Sequence, residues 1–162
     1  MQRPRGQACL ELEYALAGNI AEVRVPAPTA PRRIAGLWQH TCLEAFIGLE
    51  NQDAYIEVNF APSGEWAAWT FDGYRAGMRE AGLPAPRIET RRAPGLLVLR
   101  AELDLSGQPW LAAAATWQAG FTAVIERLDG TLSYWALAHP PGRPDFHAPS
   151  GRCLRLQGKL GA

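Results

Sequence analysis

The sequence predicts an all-β protein, a sandwich or barrel with one short helical turn in a long loop. Three observations carry that prediction. Apolar residues recur at every second position over short runs, the period of a strand with one face buried. Gly and Pro, 16 and 13 in 162 residues, punctuate those runs, and many short strands between such breaks describe a sandwich or barrel. Two hairpin turns are legible: Pro62-Ser63-Gly64 between YIEVNFA and EWAAWTF, and Asp129-Gly130 between FTAVIERL and TLSYWALA. Asp-Gly between alternating runs supplies the positive backbone angles of a tight turn.

The elements follow in order. CLELEYAL, from Cys9, alternates as a first strand, and IAEVRV, from Ile20, as a second. PAPTAPRR then breaks the pattern, because proline has no N–H for a sheet ladder. LEAFIGLE from Leu43, YIEVNF from Tyr55 and EWAAWTF from Glu65 continue the series. YRAGMREAG, residues 74–82, is the helical candidate, but its two glycines limit it to a turn or two. It lies in a connection over residues 72–86, long enough to be expected across a face of the domain. RIETRRA, LLVLRAEL, FTAVIERL and LSYWALA are further strands, and RCLRLQ is a last edge strand.

A chain of 162 residues fits a single domain over 1–162. Its 16 basic and 16 acidic residues balance, which argues against nucleic acid as a partner. No apolar run approaches the about 18 residues of a membrane span. The basic start is interrupted by Glu11, Glu13 and Tyr14 and lacks a signal-peptide core. Three well-separated cysteines, Cys9, Cys42 and Cys153, then point to a cytoplasmic protein. The oligomeric state is left open.

Little in the sequence points to catalysis or metal. There is no GxSxG elbow, and Ser63 reads as a turn residue. His40, Cys42, His139, Asp145 and His147 are conceivable ligands, yet neither HxxxH, HExxH nor CxxC occurs, so no metal is expected. His139 or His147 with Asp145 could form an acid–base pair on a loop. The aromatic content is the stronger signal: six tryptophans. Trp66 and Trp69 are three apart and must face opposite sides of a sheet, as must Tyr134 and Trp135. Trp38 precedes Glu44 by six residues and shares its face if the strand is regular. Glu57 and Asn59 share one face of the next strand, with Ile56, Val58 and Phe60 pointing inward. An indole beside carboxylates and an amide suits a sugar, whose rings have apolar C–H faces and hydroxyl edges.

LWQHTCLEAFIG, YIEVNFAPSGEWAAWTFDGYRAGM and DGTLSYWALAHPPGRPDFH, in that order, resemble the bacterial DOMON-like family, which is related to family 9 carbohydrate-binding modules. The resemblance runs from Leu37 to His147 and implies an antiparallel β-sandwich of jelly-roll type with roughly nine to eleven strands. The related modules hold a terminal sugar between two tryptophans with acidic, amide and arginine partners. Trp38 and Glu44 match the first tryptophan and glutamate, Asn59 matches the amide, and Trp135 matches the second tryptophan. Glu57 stands where an arginine is expected, and QHT replaces the segment that carries an acid after LW.

The reading is therefore a non-catalytic module for a sugar or sugar-like molecule. Trp38, Glu44, Glu57 and Asn59 form its sheet face, and Trp135 with His139, Arg143 and Asp145 of the HPPGRPDFH loop forms its opposite wall. Wider relatives bind haem through Met and His, so a haem or other cofactor domain with Met78, His139 or His147 as ligands is one alternative. A cytoplasmic protein-interaction domain working through a sandwich edge is another.

Overall fold

A computed structural model describes residues 8–157. Ten strands lie among them: β1 (Cys9–Ala17), β2 (Cys42–Gly48), β3 (Tyr55–Phe60), β4 (Trp66–Phe71), β5 (Arg79–Glu80), β6 (Arg87–Ala93), β7 (Leu96–Asp104), β8 (Thr116–Glu126), β9 (Leu132–Ala136) and β10 (Leu154–Gln157). They form an antiparallel sandwich of two sheets. The smaller has the order β1-β7-β6, and the larger runs β10-β8-β2-β3-β4-β5, with β9 also paired to β8. Both expected hairpins are present, β3 pairing β4 and β8 pairing β9.

The core lies between the sheets. Leu43, Ala45 and Ile47 of β2 and Ile56, Val58 and Phe60 of β3 pack with Leu12 of β1 and Leu99, Ala101 and Leu103 of β7. Trp66 belongs to this core and Trp69 does not, the opposition that their spacing requires. Trp117 is also buried there, and its indole N–H donates to the Leu111 carbonyl at 2.9 Å.

The outer face of the larger sheet is buried too, so β2 and β3 have no solvated side. Leu37 and Ile34 from the approach to β2 pack on Cys42 and Ala67, and Phe146 from the C-terminal loop packs with Phe46, Tyr55 and Phe71. Gly120 of β8 admits this cover, because a Cβ there would collide with the backbone carbonyl of Gly151. The 3-10 turn at Pro149–Gly151 thereby lies directly on the sheet.

Three local expectations fail, each for a backbone reason. IAEVRV is not a strand. After Gly18 (φ 141°) the chain forms a 3-10 turn at Ile20–Glu22 and then makes a single bridge, Val23 to Arg127, as it crosses to the larger sheet. YRAGMREAG is not helical: Arg75 and Gly77 adopt positive φ, which ends any right-handed turn, and Arg79–Glu80 pairs with β4. The helix instead lies at Pro109–Ala112, α1, where proline takes the first turn without losing a needed N–H. LWQ is likewise a 3-10 turn at Leu37–Gln39 rather than strand. The proline-rich connector holds no regular element, and it is anchored by Arg33. Its guanidinium lies 4.2 Å from the Trp66 ring centre and donates to the carbonyls of Ala68 and Ala81.

Candidate ligand pocket

On the covered outer face of the larger sheet the loops leave a hollow of about 580 Å³. Glu44 and Phe46 of β2, Glu57 of β3, Trp69 and Phe71 of β4 and Val124 of β8 contribute from the strands. Trp38, Arg75, Met78, Tyr134, Phe146 and His147 contribute from the turn before β2, the 72–78 loop, β9 and the C-terminal loop. The base is acidic and buried, whereas the rim is aromatic and open. Glu44 is 2% exposed and Glu57 6%, against 54% for Trp38.

The polar groups at the base are ordered by neighbours. Glu44 and Thr122 are register partners across β2 and β8, so the Thr122 hydroxyl donates to Glu44 Oε2 at 3.0 Å. The Asn59 amide donates to Glu57 Oε1 at 2.7 Å. Burial, reinforced by the nearby Glu57 carboxylate, pushes Glu44 up to about 8, so it carries a proton at neutral pH. Burial also raises Glu57, against the pull of the Asn59 hydrogen bond and the Arg75 charge.

The loop wall is a second network. His147 Nδ1 is 2.8 Å from the Tyr55 hydroxyl, and that hydroxyl also accepts from the Arg75 backbone N–H at 3.3 Å. Asp145 accepts from Tyr74 at 2.5 Å, from the Arg75 guanidinium at 2.8 Å and from the His147 backbone N–H at 3.1 Å. Burial works to raise Asp145, but these bonds prevail and hold it below the usual carboxylate range. Burial, with the Arg75 charge beside it, drops His147 to about 4, so its ring is neutral. Because Asp145 meets only the backbone of His147, the two do not form an acid–base pair through the imidazole.

The residues singled out from the sequence divide accordingly. Trp38, Glu44 and Glu57 come together in the hollow. Trp38 arrives there from a 3-10 turn and not along a regular strand. Asn59 is buried beneath and touches Glu57 instead of the cavity. Trp135 is not the opposite wall. Its register partner is Ala123, on the inter-sheet face of β8, and it lines a separate groove of about 880 Å³ beside β1. Tyr134, one residue earlier and paired with Val124, takes the wall position. His139 and Arg143 are exposed and do not line the hollow, although His139 packs its ring 6.1 Å from that of Phe146. Asp145 acts from behind by holding Tyr74 and Arg75.

Trp69, Arg75 and Tyr134 line the hollow without having been singled out for it, and His147, considered from the sequence only as a metal or haem ligand or an acid–base partner, joins them. Trp69 was within reach of the sequence, since it is the register partner of Glu57 on the face opposite Trp66. Arg75 and His147 come from irregular loops, where no periodicity announces facing. Among the described residues no group of three or more His, Cys, Asp or Glu side chains could hold a metal ion, and no helix is long and apolar enough to cross a membrane.

No known family and no curated protein matches the sequence. By structure, the chain is similar to a "putative carbohydrate-binding protein" from Bacteroides uniformis, with a TM-score of 0.64 and 16% identity. The match covers 90% of this chain and 71% of that one. At this identity the similarity establishes a shared β-sandwich fold.

Proposed function

We propose that the protein is a non-catalytic binding module for a saccharide or sugar-like small molecule, held in the hollow between Trp38 and Tyr134 above Glu44 and Glu57. One observation carries the reading: an open indole stands over a base of buried, hydrogen-bonding carboxyl groups within a single cavity. The indole would cover the C–H face of a sugar ring, and Glu57, protonated Glu44 and Arg75 would meet its hydroxyls. The resemblance to DOMON-like and family 9 modules supports this reading, as does the carbohydrate-binding description of the structural neighbour. A cytoplasmic setting fits the exposed thiol of Cys153, which is in no disulfide, and would favour small soluble sugars over polysaccharide.

Tryptophan fluorescence titrated with mono- and disaccharides tests the proposal. Binding should be weak, micromolar to millimolar, because water competes for every hydroxyl. Trp38→Ala should weaken it about ten-fold, equivalent to about 1.4 kcal/mol. A spectrum unchanged by any sugar at tens of millimolar would remove the proposal.

Haem is a poorer fit to these residues. Met78 and His147 do border one hollow, but both ring nitrogens of His147 face protein, Nδ1 towards Tyr55 and Nε2 towards Glu57 at 3.7 Å. An axial bond through Nε2 would need the space in front of Glu57. A Soret band that survives purification and disappears in His147→Ala would reverse this judgement.

A further inference from the structure

We infer that the sugar bound in this hollow carries a protonated amine, which seats against Glu44 and Glu57; the inference rests on the saccharide reading and narrows it to amino sugars.

Both carboxyl groups are more than nine-tenths buried, yet each is only half satisfied. The Glu44 carboxyl accepts one hydrogen bond among the described residues, from Thr122 to Oε2, and its Oε1 has no protein partner there. Glu57 uses Oε1 with Asn59, while Oε2 is 3.7 Å from His147, beyond hydrogen-bond length. Both residues line the cavity, so the unsatisfied oxygens have one place from which a donor can come.

Among the described residues no cation is hydrogen-bonded to either carboxyl. The Arg75 guanidinium lines the hollow and draws Glu57 down electrostatically, but its hydrogen bond goes to Asp145 at 2.8 Å. Arg152 lies over the Tyr55 ring, 4.6 Å from its centre, and although its Nη1 has no hydrogen-bond partner it bonds neither carboxyl. His147 is neutral. The remaining titratable neighbours add no positive charge: the Cys42 thiol lies on the same strand, and the Tyr14 phenol reaches the Glu44 backbone carbonyl from β1. A buried carboxyl pair without a cation either binds a proton or binds a ligand that supplies the charge. The lining favours the second, since the aromatic rings of Trp38, Trp69 and Tyr134 border the hollow and such rings attract a cation. An ammonium group brings three donors, enough for the two open oxygens.

Binding should then expel a proton. The free site keeps one on Glu44 at neutral pH; the incoming ammonium takes its place, and the proton passes to solvent. A neutral sugar would leave it where it is.

Calorimetry with glucosamine, glucose and N-acetylglucosamine at about pH 7, repeated in two buffers of different ionisation heat, tests this. Glucosamine should bind about ten-fold or more tightly than either neutral sugar, and it alone should release a substantial fraction of a proton. Glu57→Gln and Glu44→Gln should each bring glucosamine down towards glucose, with thermal melts reporting that the variants fold. Equal affinity for glucose and glucosamine in the unaltered protein would overturn the amine inference and leave the saccharide reading standing. Binding of benzylamine with no response to any sugar would keep the ammonium seat and remove the saccharide. No binding of sugar or amine would overturn both.

Discussion

Glu44 and Glu57 occupy positions that a two-residue alternation assigns to solvent, and in the folded protein they are buried, with burial raising both and Glu44 the further. That placement makes stability depend on pH in a definite direction. Glu44 holds its proton up to about 8 in the fold, well above the ordinary value of 4.5. The folded state therefore binds more protons than the unfolded chain between those values, and stability falls as pH rises through them. His147 acts in the opposite sense: its folded value of about 4 lies below the ordinary 6.5, so stability falls as pH drops below 6.5. Between about pH 7 and 8 the Glu44 effect is the larger of these two. Urea denaturation of the unliganded protein across that interval should show a decline of at most about 1.4 kcal/mol per pH unit. Glu44→Gln should flatten it, and a slope unchanged by that substitution would mean that some other group titrates.

At the scale of elements, the pocket depends on how loops rest on the larger sheet. The C-terminal loop can carry Phe146 and His147 over β2 and β3 only because Gly120 has no side chain under the 149–151 turn. Gly120→Ala should cost about 1–3 kcal/mol, the usual penalty of overpacking, and should displace His147 from Tyr55. Denaturation together with sugar titration would register both effects, and a variant of unaltered stability and affinity would show that the turn has room to lift. The 72–78 loop is fastened differently, through Tyr74 and Arg75 to Asp145. Both fastenings are non-local, which explains why YRAGMREAG looks weakly helical on its own and is not helical in place. The positive φ values at Arg75 and Gly77 turn the chain so that the Arg75 side chain meets Asp145.

The whole molecule is two unequal sheets sharing one apolar core. Leu99 of β7 is fully buried in it against residues of the larger sheet. Leu99→Ala should lower stability by about 2–5 kcal/mol through lost burial and the cavity left behind. Sugar binding, measured where the variant is still folded, should persist because the pocket lies on the far side of the larger sheet. A loss below about 1 kcal/mol would mean that the smaller sheet is loosely seated. The layering also explains why the larger sheet reads ambiguously in sequence. One of its faces meets the smaller sheet and the other meets loops, so polar alternation in YIEVNF marks a second interior surface and not a wetted one.

The amino-acid sequence by itself determined the class of fold, the position of most strands, both hairpin turns, the split between Trp66 and Trp69, and the shared face of Glu57 and Asn59. These are local properties: strand period, turn chemistry and proline's missing donor act over a few residues and need no partner. Tertiary structure alone decided that this face is roofed, that Tyr134 and not Trp135 stands over it, and that Arg75 and His147 join it while His139 and Arg143 stay outside. Those outcomes turn on register between strands distant in sequence and on loops held by single long-range bonds. Neither leaves a periodic trace in the chain.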